Sequence, residues 1–251
     1  METNIKIYIP TYDKIVNEVI QMYELLQDRF WPDSDIVVLG YKQPTYKSKT
    51  IKFESLGEDI GTTGLTNQLY DYFSKIKDTH IILGCDDGPW LPREGASLVD
   101  SDLLKISHDI CKLNDDIGRF GITSCNLQRP NDIISSFEHD NEQIDILQTT
   151  EDRTAWHGHT YKISQNLSIW NVKYLLEYLN KYDNLWKWEI DGSQESIGDG
   201  WRVVTTSKPI LEHLNIWKRG QLLPKWHTAV WSEHNRLPDD IIQKIENLFK
   251  L

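Results

Sequence analysis

Apolar and polar residues follow two different periods at the start of the chain. Ile5, Ile7 and Ile9 are spaced by single residues, which is the two-residue period of a β-strand. After Asp13, apolar residues recur every three or four positions, as in a helix that buries one face, and Pro32 stops that pattern. The helical set is Ile15, Val19, Tyr23, Leu26 and Phe30. The pattern predicts a strand followed by a helix that Asp13 caps.

The same two periods continue to residue 90. Residues 35–39 form a short continuous apolar run, which is typical of a strand buried on both faces, and residues 51–54 form a weaker strand pattern. A second helical pattern begins at Thr66, and residues 80–84 are again apolar and strand-like. This alternation predicts an α/β fold with a mixed, mostly parallel sheet flanked by helices.

The second part of the chain is less regular. Its patterns predict helices at 101–114, from Asn171 onward and at 239–251, strands at 119–123 and 201–205, a loop or hairpin at 131–158, and a loop at 192–200. Neither an internal repeat nor a linker interrupts the sequence. We therefore expect a single domain over residues 1–251.

Charge and cysteine content narrow the classes of function. The chain has 27 Lys and Arg against 38 Asp and Glu, a net charge of −11, which disfavours nucleic-acid binding and adsorption to anionic membranes. Cys85, Cys111 and Cys125 are too few and too scattered for a disulfide framework or a zinc knuckle. With no apolar segment long enough to span a bilayer, we expect a cytoplasmic protein with reduced thiols.

Two adjacent aspartates directly follow the strand pattern at 80–84. In open parallel sheets, ligands bind beyond the carboxyl ends of the strands, and Asp86 and Asp87 stand at such an end. Their carboxylates are hard oxygen ligands of the kind that Mg²⁺ and Mn²⁺ prefer. The other Asp-Asp pairs, at 115–116 and 239–240, fit a turn and a helix start.

Several blocks of this sequence together resemble a GT-A fold glycosyltransferase. They are residues 5–12 with the helix after them, residues 36–40, and the unit ending in Ile81-Ile82-Leu83-Gly84-Cys85-Asp86-Asp87. Residues 163–170, a helix and Leu185-Trp186-Lys187-Trp188-Glu189-Ile190-Asp191-Gly192-Ser193 are similar to a signature of bacterial and large-DNA-virus sugar transferases.

The resemblance implies transfer of a hexose from a nucleotide diphosphate sugar, such as a UDP-sugar, to a glycan or other hydroxyl acceptor, with Mn²⁺ or Mg²⁺ as cofactor. It implies that residues 1–100 bind nucleotide and metal and that residues 101–251 bind the acceptor. The implied donor-binding residues are Pro10, Thr11, Tyr12, Glu54 and Asp86, and the implied metal ligands are Asp86 and Asp87.

The segment around Glu189 supplies the candidates for catalysis. Inverting transfer needs a carboxylate that takes the proton of the acceptor hydroxyl, and Glu189 is the candidate base. Trp186 and Trp188 alternate, which predicts an extended segment with Asp191 on the same face as Glu189 and therefore a second catalytic candidate. Aromatic faces and amides suit sugar rings, so the acceptor-binding candidates are Gln165, Asn166, Trp186 and Trp188.

Two other classes of function stay open. A metal-dependent hydrolase could be built from the Asp86–Asp87 pair with His157 and His159, whose spacing puts both imidazoles on one face of a strand. A sugar-binding module without catalysis is the other alternative. His213 and His227 are alternatives for a third metal ligand.

Overall fold

The computed structural model describes residues 5–128, 131–151, 161–214, 217–218, 221–222 and 238–249. The strands are β1 (Lys6–Pro10), β2 (Asp35–Gly40), β3 (Lys52–Ser55), β4 (His80–Leu83), β5 (Trp90–Pro92), β6 (Ile117–Gly121), β7 (Asn131–His139), β8 (Glu142–Thr149), β9 (Ser168–Asn171), β10 (Arg202–Thr206), β11 (Leu211–His213), β12 (Trp217–Lys218) and β13 (Gln221–Leu222). The helices are α1 (Val16–Phe30), α2 (Leu65–Phe73), α3 (Ser101–Leu113), α4 (Val172–Leu179), α5 (Leu185–Glu195) and α6 (Asp239–Leu248), with a 3-10 turn at Ser124–Gln128.

One nine-stranded sheet organises the described chain, in the order β3-β2-β1-β4-β9-β6-β10-β8-β7. The strands from β3 to β4 pair in parallel, β9 runs antiparallel to both β4 and β6, and β10 returns parallel to β6. The β7–β8 hairpin closes the far edge. Seven of the nine strands therefore point the same way, which confirms the predicted mixed, mostly parallel sheet of an α/β fold.

Helices cover both faces of this sheet, because alternate residues of each central strand point to opposite sides. Ile7 and Ile9 of β1 belong to a core layer that includes α1, α3 and α6. Tyr8 belongs to the opposite layer, which includes α2, α4 and Trp188 of α5. Since both faces of β1, β2 and β4 are buried, these strands read as continuous apolar runs in the sequence.

Several sequence-based predictions of elements are confirmed. The first helix, the helices at 65–73 and 101–113, and the strands at 35–40, 80–83 and 202–206 all form close to their predicted bounds. Asn171 caps α4 by accepting a hydrogen bond from the Lys173 N–H at 3.0 Å. The hairpin, one of the two alternatives for 131–158, forms over residues 131–149.

Three predictions about local structure are wrong. Asp13 does not cap α1; its carboxylate instead accepts a hydrogen bond from the Lys42 N–H at 2.9 Å, and the helix begins after Ile15 without a side-chain cap. The segment predicted to be extended around Glu189 is helix α5, which also includes the first residues of the loop predicted at 192–200.

Within the described residues, no helix is both long and apolar enough to cross a membrane.

Candidate functional site

The turn after β4 carries the acidic pair and meets the end of β1. β1 and β4 are parallel neighbours, so their carboxyl ends lie side by side at one edge of the sheet. The Thr11 hydroxyl, just beyond β1, donates a hydrogen bond to Asp86 Oδ2 at 2.9 Å. From α1, the Tyr23 hydroxyl donates to the Cys85 carbonyl oxygen at 2.7 Å. The turn is thus held in place from two directions.

At this turn the charge of Asp87 raises the cost of ionising Asp86, and no cationic side chain of the described residues is among the groups that shift the pKa of Asp86. Burial and the neighbouring charge of Asp87 raise the pKa of Asp86 to about 7, although the hydrogen bond from Thr11 opposes that rise. Burial raises the pKa of the Cys85 thiol well above its usual value, and Asp87 and Asp86 add to that effect. Such a site favours any ligand that brings positive charge.

Tyr12 lies at the mouth of the same site. Its side chain is 36% exposed, and burial raises the pKa of its hydroxyl, with further contributions from the charges of Asp86 and Asp87. The donor-binding candidates Thr11, Tyr12 and Asp86 therefore meet at one place, next to Pro10, the last and buried residue of β1.

His213 packs against the acidic turn from the short β5–β11 sheet, in which it pairs with Trp90. A Cβ atom on Gly88 would lie 2.1 Å from His213 Cε1, so only glycine leaves room for this ring. Nδ1 of His213 is buried and has no hydrogen-bond partner among the described residues. Burial lowers the pKa of His213, against an opposing contribution from the charge of Asp87, so the ring is neutral and able to bind a cation.

Glu189 approaches the acidic turn from α5. Asn184 caps this helix by accepting a hydrogen bond from the Lys187 N–H at 2.9 Å. Glu189 lies in the same helix, and its Oε1 accepts a hydrogen bond from the Gln165 N–H at 3.0 Å. The charge of Glu189 also makes a small contribution to the raised pKa of Cys85, so this carboxylate lies within electrostatic range of the acidic turn.

Buried polar groups fasten the segment that carries Gln165 and Asn166. Ser193 of α5 bridges to both backbone groups of Ile163, receiving its N–H at 3.0 Å and donating to its carbonyl oxygen at 2.9 Å. Arg119, fully buried in β6, donates to the Lys162 carbonyl oxygen at 2.8 Å. Because a buried guanidinium is costly unless fully paired, these bonds define one position for the segment. Gln165 and Asn166 are half-buried there, beside Glu189.

The two tryptophans of α5 have opposite environments. Trp186 is 71% exposed and lies one helical turn before Glu189, so both side chains share a face. Trp188 is fully buried and packs on Trp170 with ring centroids 5.5 Å apart, a position that does not fit the predicted acceptor contact. Asp191 is exposed and, two residues along a helix, lies about 200° around the axis from Glu189. The two do not share a face.

Glu54 occupies a different position from that of the other donor candidates. It lies on β3, and its Oε2 accepts a hydrogen bond from the Tyr72 hydroxyl at 2.6 Å. Burial and this carboxylate raise the pKa of Tyr72. Glu54 is thus tied to α2, and its role in binding a nucleotide base stays a prediction.

Other candidate metal ligands are distributed as follows. His157, His159 and His227 lie outside the described residues. Asp100, His139 and Asp140 form a group whose ligand atoms all lie within 4.8 Å of one another. Asp100 is already engaged there, because it caps α3 through the Leu103 N–H at 2.9 Å and accepts from His139 Nε2 at 3.0 Å.

Sequence reasoning missed the residues that hold the site together. Tyr23 looked like one apolar position of α1, and Ser193 looked like part of a loop. Arg119 did carry a signal, since a charged residue inside an otherwise apolar strand must find buried partners. The partners themselves are remote in sequence, at positions 161, 162 and 168.

The acidic turn fits a divalent cation. Asp86 and Asp87 offer hard oxygen ligands. Burial is the largest cause of the raised pKa of Asp86, and the charge of Asp87 adds a repulsion that a bound cation would relieve. The buried, unpartnered Nδ1 of His213 is a further nitrogen ligand directed at the same turn.

No protein-family model and no curated protein matches the chain. Its structure is similar to a mannosyltransferase from Pyrobaculum calidifontis solved with GDP-Man and Mn²⁺ (12% identity, TM-score 0.45, 86% of this chain and 58% of that one). It is also similar to a UDP-glucose pyrophosphorylase solved with UDP-glucose (7%, TM-score 0.48, 85% and 93%) and to a cytidylyltransferase from Leptospira borgpetersenii (12%, TM-score 0.43, 98% and 95%). The chain spans less than two thirds of the mannosyltransferase.

Proposed function

We propose that this protein is a metal-dependent glycosyltransferase that moves a hexose from a nucleotide diphosphate sugar, such as a UDP-sugar, to a glycan or other hydroxyl acceptor. The observation that carries the proposal is that Glu189 lies within electrostatic range of the turn that carries Asp86 and Asp87. These groups come from β4 and α5, about a hundred residues apart, and their charges act on the same thiol, that of Cys85. The order of the motifs, similar to that of GT-A fold glycosyltransferases, agrees with this arrangement.

The donor would bind at the carboxyl ends of β1 and β4. Asp86, Asp87 and His213 would hold Mn²⁺ or Mg²⁺, which in such sites neutralises the charge that develops on a leaving diphosphate. Thr11 orients the Asp86 carboxylate, and the half-exposed Tyr12 offers an aromatic face at the entrance. Residues 1–100 would therefore supply most of the donor site, together with His213.

Glu189 would take the proton from the acceptor hydroxyl. Its Oε1 is held by the Gln165 N–H, which leaves Oε2 for the acceptor. The exposed indole of Trp186, one turn away on the same face of α5, would pack on the apolar face of the acceptor sugar. Gln165 and Asn166 would contribute amide groups to its hydroxyls, so residues 101–251 would supply the acceptor site.

The first experiment replaces the proposed base. In Glu189→Gln the amide oxygen still accepts from the Gln165 N–H, so the fold and donor binding are expected to persist while transfer falls by about 10²–10⁴-fold. Glu195→Gln, on the same helix and exposed in an ion pair with Lys181, is the matched control and should keep wild-type turnover. Turnover is followed as release of the nucleoside diphosphate from a panel of UDP- and GDP-sugars.

The same assay separates the alternatives. A metal-dependent hydrolase would cleave phosphomonoesters and show no dependence on a sugar acceptor. A sugar-binding module would bind glycans without releasing diphosphate, and Asp87→Asn would leave that binding intact. Wild-type turnover in Glu189→Gln would remove Glu189 as the base, and failure of every nucleotide sugar to bind in the presence of Mn²⁺ would remove the proposed function.

A further inference from the structure

A groove of about 710 Å³ lies at the opposite edge of the sheet from the acidic turn. It is lined by the amino ends of β1 and β4, by the turn before β2, and by one face of α3. Trp31 and Leu104, both almost fully buried, provide an apolar part of its wall. No residue of the proposed transferase site lines this groove, so what binds here is independent of the proposed function.

Two histidines meet in the groove wall. The rings of His80, on β4, and His108, on α3, lie edge to face with centroids 5.7 Å apart. His80 is only 9% exposed; its Nδ1 lies 3.1 Å from the Thr79 hydroxyl, whereas its Nε2 is buried and has no hydrogen-bond partner in the part of the chain that the structure describes. A buried imidazole nitrogen without a partner is costly, and a bound ligand would provide that partner.

The local potential at this pair is positive. Burial is the largest cause that lowers the pKa of both rings, and the ammonium of Lys112 is the next in each case. For His108, which is shifted to about 4, Lys112 and His80 both outweigh the opposing charge of Asp109. At His80 the opposing charge is that of Asp115, which again contributes less than Lys112. At neutral pH the ammonium of Lys112 is therefore the largest charge that acts on the pair.

The remaining charges around the groove are balanced. Lys6 pairs with Asp78 across the ends of β1 and β4 at 2.8 Å, and Lys112 pairs with Asp109 on its own helix at 2.7 Å. Two more lysines, Lys77 and Lys105, and two more aspartates, Asp33 and Asp102, complete the charged lining. A lining without net charge stands out in a chain whose net charge is −11.

We propose that this groove binds a small organic phosphomonoester, with its phosphate group between His80 Nε2 and the Lys112 ammonium. A phosphate dianion satisfies the unpartnered imidazole nitrogen as an acceptor and matches the positive potential there. The volume exceeds what a lone phosphate fills, and the organic part would pack on Trp31 and Leu104. A divalent metal ion fits less well, because the Lys112 charge opposes a cation at the histidine pair.

The test is an NMR titration of the full chain with labelled histidines, at neutral pH and without divalent cations. Glucose 1-phosphate and inorganic phosphate are the two probes. We expect saturable shifts of the His80 and His108 ring signals, a rise of both pKa values on binding, and at least about tenfold tighter binding of glucose 1-phosphate, since only it reaches the apolar wall. Asp87→Asn should show the same binding, which separates this site from the donor site.

Two variants make the outcome decisive. Lys112→Met should weaken binding about tenfold. Lys244→Met removes a helix-surface lysine that is likewise paired with an aspartate of its own helix, Asp240, and should change nothing. Equal, weak binding of both probes would mean an adventitious ion only and would overturn the proposal, as would unchanged binding in Lys112→Met or the absence of shifts at His80 and His108.

Discussion

The two edges of the central sheet place buried ionisable groups in opposite electrostatic environments. At the carboxyl edge, Asp86 is pushed toward its neutral form by burial and by the charge of Asp87. At the amino edge, His108 is also pushed toward its neutral form, by burial and by the charge of Lys112. Burial acts in the same direction on both, but the neighbouring charge is negative at one edge and positive at the other.

This difference shows which ligand each edge would accept. A cation at the acidic turn would relieve the repulsion between Asp86 and Asp87, whereas an anion at the amino edge would favour the charged form of His108 beside Lys112. The acidic turn and the charge-balanced groove lie at opposite ends of the same strands, so a chain of net charge −11 would have distinct places for cationic and anionic ligands. Variants that alter one edge and spare the other test this comparison.

Among the variants that distinguish the two edges, the largest effect is expected for Asp87→Asn. Removing one carboxylate of the acidic turn should weaken Mn²⁺-dependent UDP binding about 100-fold, the equivalent of roughly 3 kcal/mol, because a ligand charge is lost from a partly buried site. Calorimetric titration with UDP, with and without Mn²⁺, measures it. Phosphomonoester binding at the amino edge should not change, and an unaltered UDP affinity would contradict the role of Asp87.

Asp86→Asn is expected to bind donor poorly but to be more stable without a cation. The pKa of Asp86 is about 7 in the folded chain and near 4 when unfolded, so the folded state holds the extra proton between these values and wild-type stability falls as pH rises from 4 to 7. The asparagine side chain does not ionise, so the stability of this variant does not fall for that reason as pH rises. At pH 8 it should melt about 2–8 °C higher, with no gain at pH 4.

His108→Gln should alter stability in a different pH range. The pKa of His108 is about 4 in the folded chain, so the unfolded chain takes up its proton first and wild-type stability falls as pH decreases from about 6.5 to 4. The glutamine variant should lose about 1–2 kcal/mol less over this interval, a figure reduced for partial exposure of the ring. Urea unfolding at several pH values measures it, and parallel pH profiles would contradict it.

The smallest effect is expected for Trp186→Ala. Loss of the exposed indole should raise the KM for the acceptor about threefold to tenfold, with the donor KM unchanged, because only the acceptor ring would contact it. Trp201→Ala, which removes the half-buried indole that precedes β10 and donates to Glu177 of α4, is a control for general effects of losing an indole. A change confined to the donor KM would contradict the assignment.

The sequence predicted strands β1, β2 and β4 and helix α1 better than the later elements of the fold. β1, β2 and β4 are buried on both faces and α1 on one, so their patterns are local and clear. The strand β9 was not predicted, because its four residues acquire their structure from antiparallel pairing with β4 and β6, which are remote in sequence. Contacts that form only through pairing between strands remote in sequence were correspondingly harder to predict.

Helix α5 shows how a candidate residue can be assigned to the wrong local structure. The alternation of Trp186 and Trp188 suggested an extended segment, but Leu185, Trp188 and Gly192 are spaced as one helix face, and Asn184 is a good N-cap. The role of Glu189 as the base stays a prediction; its hydrogen bond from the backbone N–H of Gln165 is a contact that no local pattern contains. The His80–His108 pair is similarly a product of tertiary packing alone.

The most direct test of the central claim is a crystal structure of the protein with Mn²⁺ and UDP, using the anomalous signal of manganese. We predict a manganese peak bound by Asp87, with the diphosphate beside it at the carboxyl ends of β1 and β4. A nucleotide bound elsewhere, or manganese absent from the Asp86–Asp87 turn at saturating concentration, would contradict the account.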